Sequence, residues 1–170
     1  IRQKFSWFIK GESKDAVIGT KNGFLVFYNG GYNGEFQGIW ENGKFNGNFK
    51  GTFKAGTFDG TFLDGKFISG IFSGEFRNGE FLGTFKSGIF KGGNFLGGSF
   101  KEGLFERGNF SRGTFSGGTF KGTFSGGTFS GGIFDGGKWL GGKWSGKGTW
   151  IIGTDKVGDM IKSPPEEARE

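Results

Sequence analysis

Gly108-Asn-Phe110-Ser-Arg-Gly-Thr-Phe115-Ser-Gly-Gly-Thr-Phe120-Lys-Gly-Thr-Phe124-Ser-Gly-Gly-Thr-Phe129 is the stretch that decides how this chain folds. Glycine recurs every few residues, and each would cost about 1 kcal/mol inside a helix. The Gly-Gly pairs at 117-118 and 126-127 also interrupt any long strand. What remains is a very short extended segment followed by a tight turn in which glycine supplies the backbone freedom. Each segment then points its phenylalanine the same way.

The pattern extends in both directions. Aromatic residues recur from Tyr32 to Trp150 in 25 steps, of which 16 span five residues, eight span four and the last spans six. This periodicity explains the composition of 40 Gly and 25 Phe in 170 residues, far above ordinary usage. No unit carries a Phe-Gly dipeptide, which separates the array from disordered Phe-Gly repeats. The spacing predicts a coil that stacks on itself or a meander of short hairpins. An exposed aromatic face of this size would be abnormal for a monomer, so a closed, ring-filled coil is favoured.

Units such as Gly113-Thr114-Phe115-Ser116-Gly117 and Gly132-Ile133-Phe134-Asp135-Gly136 resemble the pentapeptide-repeat family. The resemblance implies an all-β, right-handed quadrilateral β-solenoid, with about four units per coil and phenylalanine stacked inside. In the first half, Trp40, Phe49, Phe58, Phe67, Phe76 and Phe85 recur every nine residues, and Phe76-Arg-Asn-Gly-Glu-Phe81-Leu-Gly-Thr-Phe85 is similar to MORN repeats. That second resemblance implies the alternative, a β-hairpin meander.

Three regions follow. Residues 1–31 lose the repeat and read as an N-terminal β-cap with a hairpin turn at Asn22-Gly23. Residues 32–150 are the array. Residues 151–170 form a C-terminal cap, with a helical turn expected over Val157 to Lys162 and a polar tail or linker from Ser163. The chain begins at Ile1 and not at Met, which reads as a processed product or a piece of something longer. No run approaches the roughly 18 apolar residues of a membrane-spanning helix.

The residues argue against catalysis. There is no His and no Cys, so the usual general base and thiol nucleophile are missing. The carboxylate pairs Asp59 with Asp64, Glu75 with Glu80 and Glu102 with Glu106 sit one unit apart and read as solvated surface. Gly141 to Lys147 fits a phosphate-loop spacing, but Gly148 follows where Ser or Thr is needed, and no helix can form there. No cofactor or metal is expected.

Charge is uneven along the array. Glu35 to Glu106 holds eight basic and eight acidic residues, whereas Arg107 to Lys147 holds six basic residues (Arg107, Arg112, Lys121, Lys138, Lys143 and Lys147) against Asp135 alone. Those six are candidate contacts for a polyanion such as nucleic acid. The aromatics are committed to the core and cannot stack bases.

The expectation is therefore a non-enzymatic structural or spacer module that joins a protein partner or self-assembles. A module binding protein, glycan or polyanion through an outer face is the alternative. The Gly/Phe/Trp pentads also resemble those of some phage structural proteins, which implies a virion component.

Overall fold

The computed structural model describes residues 9–21, 24–40 and 44–169, with side chains described at 39–40, 44–45 and 47–169. Strand β1 (Ile9–Lys21) pairs antiparallel with β2 (Phe24–Trp40), from Ile9↔Phe36 to Lys21↔Phe24. The turn expected at Asn22-Gly23 lies outside the described residues. From Gly31 onward every pairing between coils is parallel. β2 lies on β3 (Lys44–Phe53), β3 on β4 (Thr57–Phe67), and β4 on β5 (Ile71–Phe76).

Further along, many strands shrink to two residues, as in Asn109–Phe110 and Thr114–Phe115. Each still pairs with its equivalents in the coils before and after. The amide of Asn109 donates to the carbonyl of Gly93 at 2.9 Å, and that of Ser111 to the carbonyl of Phe95 at 3.0 Å. Two such bonds per side satisfy the backbone where the strand is too short to do so alone. The chain is a parallel β-solenoid, and the hairpin meander does not form.

Register sets the shape of the coil. The chain returns to the same place after 13 residues at Phe45↔Phe58, 14 at Phe58↔Phe72, 15 at Phe85↔Phe100 and 16 at Phe134↔Trp150. Each coil therefore takes three units, and the solenoid is three-sided where a quadrilateral was expected. Ring size is the physical reason. Three aromatic side chains per coil meet edge to face, as Phe110 does with Phe115 at 6.1 Å and Phe115 with Phe120 at 5.3 Å. A fourth side would open a void at the centre, which close packing disfavours.

The aromatics stack in three rows. Row 1 runs Phe45, Phe58, Phe72, Phe85, Phe100, Phe115, Phe129, Trp144; row 2 runs Phe49, Phe62, Phe76, Phe90, Phe105, Phe120, Phe134, Trp150; row 3 runs Trp40, Phe53, Phe67, Phe81, Phe95, Phe110, Phe124, Trp139. Except for Trp150, which is partly covered, all of these rings are buried, and no polar or charged residue is buried among the described residues. Four-residue and five-residue units share a row because the extra residue moves to a corner. Lys50 pairs with Asp64 across a register shift at Phe49, leaving Leu63 unmatched.

Glycine fills the corners. Gly88 has φ +118°, and a Cβ there would overlap the carbonyl oxygen of Gly74 in the coil before it. The corner thus selects glycine twice, through its dihedral and through the close approach of backbones.

Beyond the last rung, strand Thr149–Thr154 runs parallel to Ile133–Trp139 and antiparallel to Met160–Ile161. The helical turn expected over Val157 to Lys162 does not form. Asp155 Oδ1 accepts the amides of Val157 (3.0 Å) and Asp159 (2.9 Å), which folds the segment into a loop. The helix lies instead in the tail, as α1 (Glu166–Arg169), where Pro164 and Pro165 lead into an acidic first turn. α1 packs on the strand Lys143–Trp144, and its Ala168 is buried.

Candidate functional surface

With the rings committed to the interior, chemistry is left to the residues on either side of each ring and at the corners. Every face offers two outward residues per coil, one before the aromatic and one after. The face of row 3 shows this well. It presents Lys66 and Ile68, then Glu80 and Leu82, then Asn94 and Leu96, each pair one coil above the last.

The six candidate polyanion contacts are all exposed, but they do not share a face. Lys138 and Lys143 precede the last rings of rows 3 and 1. Lys121 follows Phe120 of row 2. Arg107, Arg112 and Lys147 occupy three different corners. Two of the six are matched by acids, Lys121 Nζ with Asp135 Oδ2 at 3.2 Å and Arg107 with Glu106 at 3.7 Å. The sequence showed the imbalance of charge but not its angular spread, because the spread depends on having three units per coil.

Most of the described ion pairs gather along row 2, and one, Lys66 with Glu80, lies on the face of row 3. Glu75 Oε1 accepts from Arg77 Nε at 2.6 Å and faces Lys91 Nζ at 3.3 Å. The Arg77 hydrogen bond, reinforced by Lys91, holds the Glu75 carboxyl below its usual range, while slight burial opposes the shift. Lys66 meets Glu80 across one coil step at 3.8 Å, and Asn78 Nδ2 donates to Asp64 Oδ1 at 3.3 Å. The contacts of Lys91, Lys66 and Asn78 pin neighbouring coils together.

Serine hydroxyls do similar work near the C-terminal end. Ser111 and Ser116 each donate at 3.2 Å to a carbonyl one coil earlier, those of Phe95 and Phe100. Among the described residues no three acidic side chains converge as metal ligands. A groove between the loop at Asp155 and Pro164 to Arg169 is open to solvent. No helix of the described residues is long and apolar enough to cross a membrane.

The sequence reading missed the apolar row Ile68, Leu82 and Leu96. Its signal is an apolar residue after each of Phe67, Phe81 and Phe95, three aromatics apart, which is visible only once the coil is known to hold three units. Comparison with known proteins finds no matching family model, no similar curated protein and no similar solved structure.

Proposed function

We propose that this chain is a rigid, non-enzymatic spacer module within a larger assembly. The observation that carries this reading is the continuity of the three aromatic rows. Row 3 alone stacks eight rings, from Trp40 to Trp139, with Phe53 on Phe67 at 4.7 Å and Phe95 on Phe110 at 4.6 Å. Seven steps at about 4.8 Å make a filled rod roughly 34 Å long. A core of interlocked rings resists bending, and among the described residues no cluster of three or more His, Cys, Asp or Glu side chains assembles on the surface. The resemblance to pentapeptide repeats and to phage structural pentads supports a scaffold role, although the three-sided coil departs from the quadrilateral one that the first resemblance implies.

Excising residues 94–108 removes one coil, because Phe95 and Phe110 occupy equivalent places. A spacer so shortened should still unfold cooperatively and should bring labels at its two ends closer by about 4.8 Å, with an unbroadened distance distribution. A broad distribution in the intact chain would sink the reading. Salt-sensitive retention on heparin that is lost on reversing Arg112, Lys138, Lys143 and Lys147 would replace it with the polyanion-binding one.

A further inference from the structure

The face of row 3 carries apolar residues at one lateral position on three successive rungs. Ile68 and Leu82 follow its second and third Phe rings and stand 40% and 42% exposed, with Leu96 next in line. Their amides donate to the carbonyls of Phe53, Phe67 and Phe81 at 2.8 Å each, so all three sit at the same lateral position on successive rungs. On the other side of the rings, Lys66 and Glu80 occupy neighbouring rungs in register.

We propose that this face docks a second copy of the chain, antiparallel, about a two-fold axis that runs along the strands between the Ile68 and Leu82 rungs. Such an axis reverses the order of coils but keeps each lateral row opposite itself. Ile68 then faces Leu82 of the second copy, and Lys66 faces Glu80 of the second copy, each contact occurring twice.

Charge selects this register. Moving the axis onto the Leu82 rung would set Glu80 against Glu80, and moving it onto the Ile68 rung would set Lys66 against Lys66. Only the intermediate position pairs opposite charges across the axis. One rung further out, Thr52 meets Asn94 and the Lys54 stem meets Leu96, with no like charges opposed. Each Glu80 carboxylate also keeps the lysine of its own chain, 3.8 Å away.

A face two side chains wide falls at the small end of protein interfaces, below about 1,200 Å² in total. Association should therefore depend on concentration. Sedimentation velocity between about 10 µM and 1 mM spans the range expected of so small a contact. The chain should pass from monomer to dimer across it.

Leu82→Lys should weaken dimerisation at least tenfold and leave the melting temperature nearly unchanged, because the side chain points outward. Lys66→Glu should weaken it too, and combining that change with Glu80→Lys should restore it. A monomer at every concentration overturns the proposal, as does a dimer indifferent to Leu82→Lys or a double reversal that fails to rescue. The proposal does not depend on the spacer role, which a monomeric rod would leave standing.

Discussion

Phe90 and Phe105 lie face over face, their centroids 4.4 Å apart and their planes 10° from parallel, although 15 residues separate them. The same ring meets Phe95 of row 3 edge to face at 6.1 Å. Stacking along the rod and edge contacts across it therefore fix each ring in two directions.

Phe105 is fully buried between rings of two other coils, so Phe105→Ala should cost about 3–5 kcal/mol by chemical denaturation. Ile89→Ala, at a half-buried outward position in the preceding coil, should cost clearly less. Equal losses would show that the aromatic rows are not the source of stability.

Gly88 and Gly146 both have positive φ, at +118° and +90°, but only Gly88 has a neighbouring coil where a Cβ would go. Gly146→Ala should cost about 1–2 kcal/mol for its dihedral alone. Gly88→Ala carries a further overpacking cost of about 1–3 kcal/mol. Thermal melts of the two variants measure the difference, and parity would remove the steric half of the argument.

Glu75 titrates lower in the folded chain than in the unfolded one. A depressed carboxyl contributes stability above the ordinary carboxylate range and loses it as pH falls through the folded value. The stability gap between the protein and Glu75→Gln should be present at neutral pH, shrink below about pH 4.5 and narrow with added salt. A gap that is flat with pH would mean that Arg77 and Lys91 do not act on the carboxyl.

Trp150 Nε1 donates to the carbonyl of Ile161 at 3.0 Å, tying the last ring of row 2 to the C-terminal hairpin. Trp150→Phe keeps a stacking ring but removes this bond, worth about 0.5–1.5 kcal/mol. Amide exchange should quicken at Thr154 and Met160 and stay unchanged at Phe95. Uniform acceleration along the chain would make the hairpin part of the global cooperative unit.

Much of the core was legible in the sequence, because one residue type at one spacing can have few other purposes. Phe36 to Phe134 announced a stacked interior through periodicity alone. The number of sides was not legible. Three and four units per coil give the same local pattern, and the choice rests on how ring volume fills the centre. The surface followed from that choice, so the apolar line at Ile68, Leu82 and Leu96 and the scatter of Arg107, Arg112 and Lys138 were both hidden. At the C-terminal end, the side chain of Asp155 outcompeted helix propensity for the amides of Val157 and Asp159, a local contest that composition cannot score.

All three rows end in tryptophan, at Trp144, Trp150 and Trp139, and row 3 also begins with one at Trp40. No tryptophan falls between residues 41 and 138. Light absorbed and emitted by the indoles of the three rows therefore comes from the two ends of the stack, while the phenylalanine interior between them stays optically dark. Fraying of the last rung would change the emission before the middle loosened, so without any added label the molecule is transparent at its centre and luminous at the two ends of its rows.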